Sequence, residues 1–592
     1  MKTEWDLSEF YSSVNDPKIL EDRKILTKHI DNFVKKWKET STYLEESKVL
    51  AEALHEYEDI CDINKEAYYL YLLTMKYSQD TEIAAKYNQA TDFRTKMFNK
   101  LQFFEINISK ISKDKQKGFL SESGLTGYAH YLEKIWIKAK FILSEKEETV
   151  LSIMGKTSLI NRHDMLESFL SAEEAETKTE DGTIQKLPFS SILSLMSSKD
   201  ESVRKQAYDK VNEILLKYKP VAEKEINSVL EYAKNIDELR KHSRPDESRH
   251  ISDDIDTDVV DAIIQTISDR YEISQKFYKF KAQLLGKGQL TYYERDVPYG
   301  SFNDVVPYEK GVDIVRNAFV SLDQEFVDIF DSFLNQGKID TYPHTGKRWW
   351  WFCAYENKSA PIYVFLNYTN KVNDVTTLAH EMWHAINFCM MRKETPLNYG
   401  SSTSTAEVAS TFMEDFALKE ILKTVSSDEE KLALMVNKMD AEVSTIQRQI
   451  ACYKFEQELH DEFRKVGYVG TDKIGEIFKK HMEAYMWNWV KQEDVNKNRW
   501  IHRSHIRYFF YVYSYASWLL VSKAMQAKVK QDKLFIKKVK QYLETWLSES
   551  PKQTFANMWI DITDKSFWNA WLDEQENFLN EMIALAKKLG KI

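Results

Sequence analysis

The chain predicts a mostly α fold with a small β-sheet beside one buried helix, and three observations carry that expectation. Apolar residues recur at three- and four-residue spacing, with lysine and glutamate between them, over long stretches of both halves. Aromatic and β-branched residues crowd into two short runs, 349–353 and 361–368. Only 16 glycines and 10 prolines punctuate 592 residues, which argues against many linkers. A rule of about 150 residues per domain would give four domains. The scarcity of breakers points instead to two large lobes sharing a cleft.

In chain order, the helical pattern runs from Asp16 to Leu120, resumes over 131–154 and returns after Met165. Residues 177–187 break it, and Asp181-Gly182 suits a tight hairpin turn, so a small β excursion is expected there. Amphipathic helices follow over 200–218 and 258–285. The runs Trp349-Trp350-Trp351-Phe352-Cys353 and 361–368 read as strands. Asp374 reads as the N-cap of a buried helix over 375–391. From Ser404 the chain reads as helical to its end, with a break at 467–471 and a turn at Ser550-Pro551. We divide it into an N-terminal helical lobe with the hairpin, 1–198, and a second domain, 199–592, that carries the chemistry.

Composition excludes several classes. Hydrophobic content of 43% and charged content of 29% are those of a globular protein. A net charge of -10 offers no basic field for nucleic acid. The lysines of 523–540 alternate with Phe535, Ile536 and Val539, the pattern of a solvated helix face. The most apolar run, 508–521, falls short of the roughly 20 residues that a membrane span needs. The N-terminus lacks the apolar core of a signal peptide, which points to the cytoplasm. Cys61, Cys353, Cys389 and Cys452 are scattered, so reduced thiols are expected rather than a disulfide framework or a zinc ribbon.

The chemistry gathers in three places. In 377–387, His380, Glu381 and His384 form H-E-x-x-H. On a helix of about 3.6 residues per turn the two imidazoles stand one turn apart on one face, able to hold one zinc ion, with the glutamate beside it as a general base. The bland alternative is a pair of hydrogen-bonded core histidines. The second place is Glu407, with Ser410 and Glu414 at i+3 and i+7 on an otherwise apolar helix. Glu407 reads either as a capping box with Ser404 or as a third metal ligand whose outer partners fill the rest of the stripe. The third is His502-Arg-Ser-His505-Ile-Arg-Tyr508-Phe-Phe-Tyr511-Val-Tyr513-Ser-Tyr515. On one helix Tyr508, Tyr511 and Tyr515 would share a face, with His505 on the flank. That stripe is either core or a set of oxyanion donors.

These clusters, in this order, resemble the oligoendopeptidase F branch of the thimet-oligopeptidase-like zinc metallopeptidases. The resemblance runs through 373–385, then 406–411 with Glu414, then His505 and 510–516. Weaker echoes lie at Trp5-Asp-Leu-Ser, at Lys347-Arg348 and at Asn367. It implies a zincin-like catalytic core inside a two-lobed helical enclosure around a deep channel. It also implies one zinc ion per chain and endopeptidase action on short peptides. By motif position His380, His384 and Glu407 would be the ligands and Glu381 the base, while His505, Tyr508 and Tyr515, with Tyr511 as the other candidate, would donate to the oxyanion. Trp383 stands where the family usually has glycine, and Trp350 and Trp351 where it tends to have small residues, so an unusually aromatic setting is expected around the site. The strand Ile362 to Asn367 is a candidate for pairing with an extended peptide. Two rivals remain open on sequence: a zinc carboxypeptidase of similar architecture, and a non-catalytic peptide-binding protein with a structural metal.

Overall fold

The computed structural model describes residues 1–592 apart from 64, 156, 157, 160, 301–304, 349, 403, 404 and 424–426, and apart from the side chains of 161 and 164. Among the described residues the fold is mostly helical with two small sheets, as expected. The chain resolves into two compact units, each assembled from three segments. One comprises Met1–Thr149, Asp304–Thr424 and Ser522–Ile560; the other comprises Val150–Asn303, Val425–Val521 and Asp561–Ile592. A division at 198/199 follows the chain in order, whereas these units interleave it. Among the described residues no helix is long and apolar enough to cross a membrane.

The first unit begins with Pro17–Trp37, where Asp16 accepts the Lys18 N–H and proline takes the first helical position. Its apolar stripe, Leu26, Ile30, Phe33 and Trp37, packs with Leu50 and Leu54 of Ser47–Ile63 and with Phe104. Each such side chain contributes about 1.5–3 kcal/mol when fully buried. A second cluster ties the N-terminus to the sheet: Trp5, Phe10, Tyr68 and Tyr69 meet Tyr363 and Phe365. The Trp5 indole N–H donates to the Val364 carbonyl at 2.8 Å.

That sheet has three short strands. Tyr363–Phe365 lies in the centre, parallel to Ile339–Asp340 and antiparallel to Phe352–Ala354, with Cys353 opposite Val364. Both sides of the central strand are therefore taken, which corrects the expectation that a peptide adds to it; Ile339–Asp340 and Phe352–Ala354 are the edges. Trp349 lies outside the described residues. Trp350 and Trp351 precede the strand Phe352–Ala354 rather than belonging to it.

In the second unit, Glu174–Lys178 and Ile184–Pro188 form the anticipated antiparallel hairpin, and Gly182 takes the left-handed φ of 84° its turn requires. The helix expected over 200–218 runs from Glu201 to Arg240 without stopping at Pro220. A proline inside a helix costs about 3 kcal/mol. Burial of Val211, Leu215, Ala222 and Ile226 on both sides of it carries the helix through. The pattern over 258–285 divides into Thr257–Asp269 and Glu272–Leu284. Gly467, at φ 75°, ends Gln447–Val466 at the expected break.

Candidate metal centre

The H-E-x-x-H stretch lies on the helix Val372–Met390. Asp374 is not its N-cap. It sits one turn in and reaches back, its carboxylate accepting the backbone N–H groups of Lys371 at 2.9 Å and Thr369 at 2.7 Å. The carboxylate thus satisfies two free donors at the positive end of the helix dipole. The helix is buried along most of its length, as its apolar residues predict. Asn387, fully buried, donates from Nδ2 to the Leu543 carbonyl at 2.8 Å, which braces the helix against Ile536–Thr545.

The partner helix is Ala406–Leu422. Ser404 lies outside the described residues, so the capping-box reading of Glu407 is not addressed by the fold. The Glu407 side chain instead meets both histidines. His380 Nε2 lies 3.1 Å and His384 Nε2 3.2 Å from the same oxygen, Glu407 Oε2. The donor atoms of His380, His384 and Glu407 all fall within 4.8 Å of one another, and among the described residues this is the group so arranged. The rest of the polar stripe supports it from behind. Ser410 Oγ donates to Glu407 Oε2 at 2.6 Å, and Glu414 Oε1 lies 2.7 Å from His380 Nδ1. A carboxylate on Nδ1 fixes the imidazole tautomer and leaves Nε2 as the lone-pair donor.

The electrostatics of the cluster are mutual. Burial opposes the charge on His380, but the Glu407 and Glu414 carboxylates outweigh it and hold its pKa well above the usual range. Burial likewise opposes the Glu407 carboxylate, and His384 and His380 hold it well below. Glu381 behaves differently. Burial raises its pKa, His380 and His384 offset this only in part, and the backbone N–H of Cys353 donates to its carboxylate. Glu381 Oε1 lies 4.0 Å from His380 Nε2, beside the converging donors. It is the more proton-avid of the two carboxylates. The Cys353 contact joins the edge strand to the glutamate. A backbone donor leaves no mark in the residue pattern, and sequence reasoning missed it.

The expected aromatic setting needs correcting. Trp383 is fully buried and lies in the apolar core, stacked on Phe319 at 6.1 Å and edge-on to Phe326 at 4.8 Å, with Phe412 at 5.4 Å. Its bulk fills space between helices. Trp350 packs against the Trp5–Tyr363 cluster, and Trp351 is about half exposed.

His505, Tyr508, Tyr511 and Tyr515 belong to the other unit. They do not form one helical stripe. His505 lies on the 3₁₀ turn Ser504–Arg507, Phe509 and Phe510 take left-handed φ values of 52° and 55°, and a new helix starts at Tyr513. The bend still gathers the rings: Tyr511 stacks on His505 at 5.5 Å, and the Tyr511 and Tyr515 hydroxyls are 3.5 Å apart. Tyr508 is half exposed and edge-on to Tyr511 at 6.4 Å. Two left-handed non-glycine residues in succession are costly and need outside support. Arg249 donates to the Tyr508 carbonyl at 2.8 Å and the Phe509 carbonyl at 2.9 Å, and Glu456 accepts the Phe510 N–H at 2.7 Å. Nothing in the spacing of Arg249 or Glu456 announces this task. Burial, with Arg503 and Arg448, lowers His505 to about 4, so its imidazole is neutral near pH 7.

Two imidazoles and a carboxylate converge on one point, with a second carboxylate alongside, and this donor set could hold a metal ion. Residues 194–574 match the family model Peptidase family M3, and 107–162 match the model Oligopeptidase F. The chain belongs to peptidase family M3. It is 25% identical over 546 residues to the oligoendopeptidase F homolog of Lactococcus lactis subsp. lactis, covering 90% of each chain. It is 24% identical over 494 residues to oligopeptidase PepF of Bacillus subtilis, covering 81% of this chain and 72% of that one. Among solved structures, a putative peptidase from Chlamydophila abortus superposes with a TM-score of 0.81 at 20% identity over 98% of both chains. Oligoendopeptidase-F from Enterococcus faecium gives 0.72 at 18% identity over 96% of this chain and 99% of that one.

Proposed function

We propose that this peptidase is a zinc-dependent endopeptidase of short peptides, with His380, His384 and Glu407 as ligands and Glu381 as general base. The observation that carries the reading is the approach of both Nε2 atoms to one Glu407 oxygen, with Ser410 and Glu414 holding the ligands from behind. The donor set fits zinc, which when bound polarises the scissile carbonyl and makes a water nucleophilic near neutral pH. Glu381 takes the proton of that water and passes it to the leaving amine, a role that its burial-raised pKa supports. Glu414 keeps the proton on His380 Nδ1, and Ser410 orients Glu407. His505 with Tyr508 and Tyr515, or Tyr511 in place of one of them, donates to the developing oxyanion. The edge strand Phe352–Ala354, next to Glu381 through Cys353, offers its backbone to an extended peptide.

Glu381→Gln keeps its zinc by elemental analysis and loses cleavage of a quenched-fluorescent peptide. Full activity in that variant removes Glu381 from the mechanism. Mass spectrometry of a peptide-library digest yields internal cuts; stepwise loss of C-terminal residues would make the enzyme a carboxypeptidase instead.

A further inference from the structure

Away from the candidate metal centre, the second unit holds a group of arginines with buried guanidinium nitrogens that lack acceptors among the described residues. Arg295 follows the turn Tyr292–Glu294, Arg448 lies on Gln447–Val466, and Arg499 and Arg503 flank the end of Asp494–His502. Arg295 and Arg499 share one aromatic ring, standing 4.5 Å and 5.3 Å from the centroid of Tyr292. Arg295 pairs with Asp296 through Nε at 2.9 Å and Nη2 at 2.5 Å, and Arg448 Nη1 reaches the same carboxylate at 3.7 Å. The neighbouring Asp440 is engaged by Lys281 at 2.8 Å. Arg499, 2% exposed, contacts the Met196 sulfur at 3.5 Å, a weak acceptor, and stacks on Tyr208 at 5.0 Å.

Among the described residues no acceptor meets Arg295 Nη1, Arg448 Nε, Arg499 Nε and Nη2, or Arg503 Nε, all of them shut off from solvent. Guanidinium groups do not shed their charge when buried; they need an anion. We propose that Arg295, Arg448, Arg499 and Arg503 form an internal binding site for a small inorganic anion of halide size. The closure of these nitrogens from solvent selects a halide over a peptide carboxylate, whose chain would need an opening. The surrounding groups register the same positive field. Burial alone would raise the Tyr292 phenol, yet Arg295, Arg499 and Arg503 bring it below its ordinary value. Burial lowers His502, and Arg503 and Arg499 lower it further.

The test uses the metal-loaded full chain and chloride as probe. Excess ³⁵Cl NMR linewidth should saturate with protein and be displaced by bromide. The melting temperature should rise by about 2 °C in sodium chloride relative to sodium gluconate of equal ionic strength. Both effects should vanish in Arg499→Gln and in Arg503→Gln. Chloride held at the metal centre would persist in these variants, and persistence in both overturns the proposal. Arg503, less buried than Arg499, carries the test should Arg499→Gln fail to fold. Absence of any chloride effect in the wild type overturns it too. So does a tyrosinate absorbance at neutral pH that chloride leaves unchanged, which would make Tyr292 the counterion.

Discussion

The histidine–glutamate cluster and the tyrosine cluster are built in opposite ways. His380, Glu381, His384, Glu407, Ser410 and Glu414 lie on two regular helices, and their relative placement follows from helical spacing plus one helix–helix contact. His505, Tyr508, Tyr511 and Tyr515 lie on a bend whose geometry depends on two left-handed phenylalanines and on Arg249 and Glu456, far away in sequence. A ligand set needs rigidity, which regular helix supplies directly. A row of donors on a bend is only as well placed as its supports, so the two regions should respond differently to substitution.

The largest expected effect lies on the helical side. His384→Ala should lose zinc by elemental analysis and with it all measurable peptide cleavage; Glu381→Gln should lower kcat by about 10²–10⁴-fold with zinc in place. In the other region, at least one of Tyr508→Phe, Tyr511→Phe and Tyr515→Phe should lower kcat by about 10²–10³-fold while KM moves less. Equal loss of stability without a change in kcat would return the tyrosines to the core reading. Glu414→Gln sharpens the helical side, with zinc affinity falling about 10–100-fold in a competition titration while the helices stay folded. Arg249→Gln probes the bend: kcat should fall, and that fall should shrink in the background of whichever tyrosine variant is itself impaired. Independent, additive losses would show that Arg249 serves stability alone.

The smallest effect concerns pH. His505 falls from 6.5 unfolded to about 4 folded through burial and the nearby Arg503 and Arg448. Between those values the unfolded chain binds a proton that the folded chain does not, so stability rises with pH across this window and is lost as pH falls towards 4. His505→Gln should flatten that part of the melting-temperature profile.

Legibility followed the same divide. The H-E-x-x-H turn, the Glu407 stripe and the hairpin at Asp181-Gly182 could be read because each is a statement about neighbours within a few residues. Glu414 could be placed on the Glu407 face by its spacing, but its contact with His380 needed the fold. Trp383 was misread because one residue beside a motif has two directions to point. The large apolar space bounded by Phe319, Phe326 and Phe412 settled the matter. Asp374 was misplaced by three residues because a carboxylate that caps from inside the first turn looks, in sequence, like one that precedes it.

What the sequence determined by itself was helix content, the donor types and their order, since periodicity and side-chain chemistry are local properties. The tertiary structure alone decided which strand is central and which is edge. It also decided how a helix survives Pro220, and why the chain composes two units from alternating segments rather than two consecutive domains. Each of these rests on pairing or burial between separate elements, and no local pattern encodes which element will be the partner.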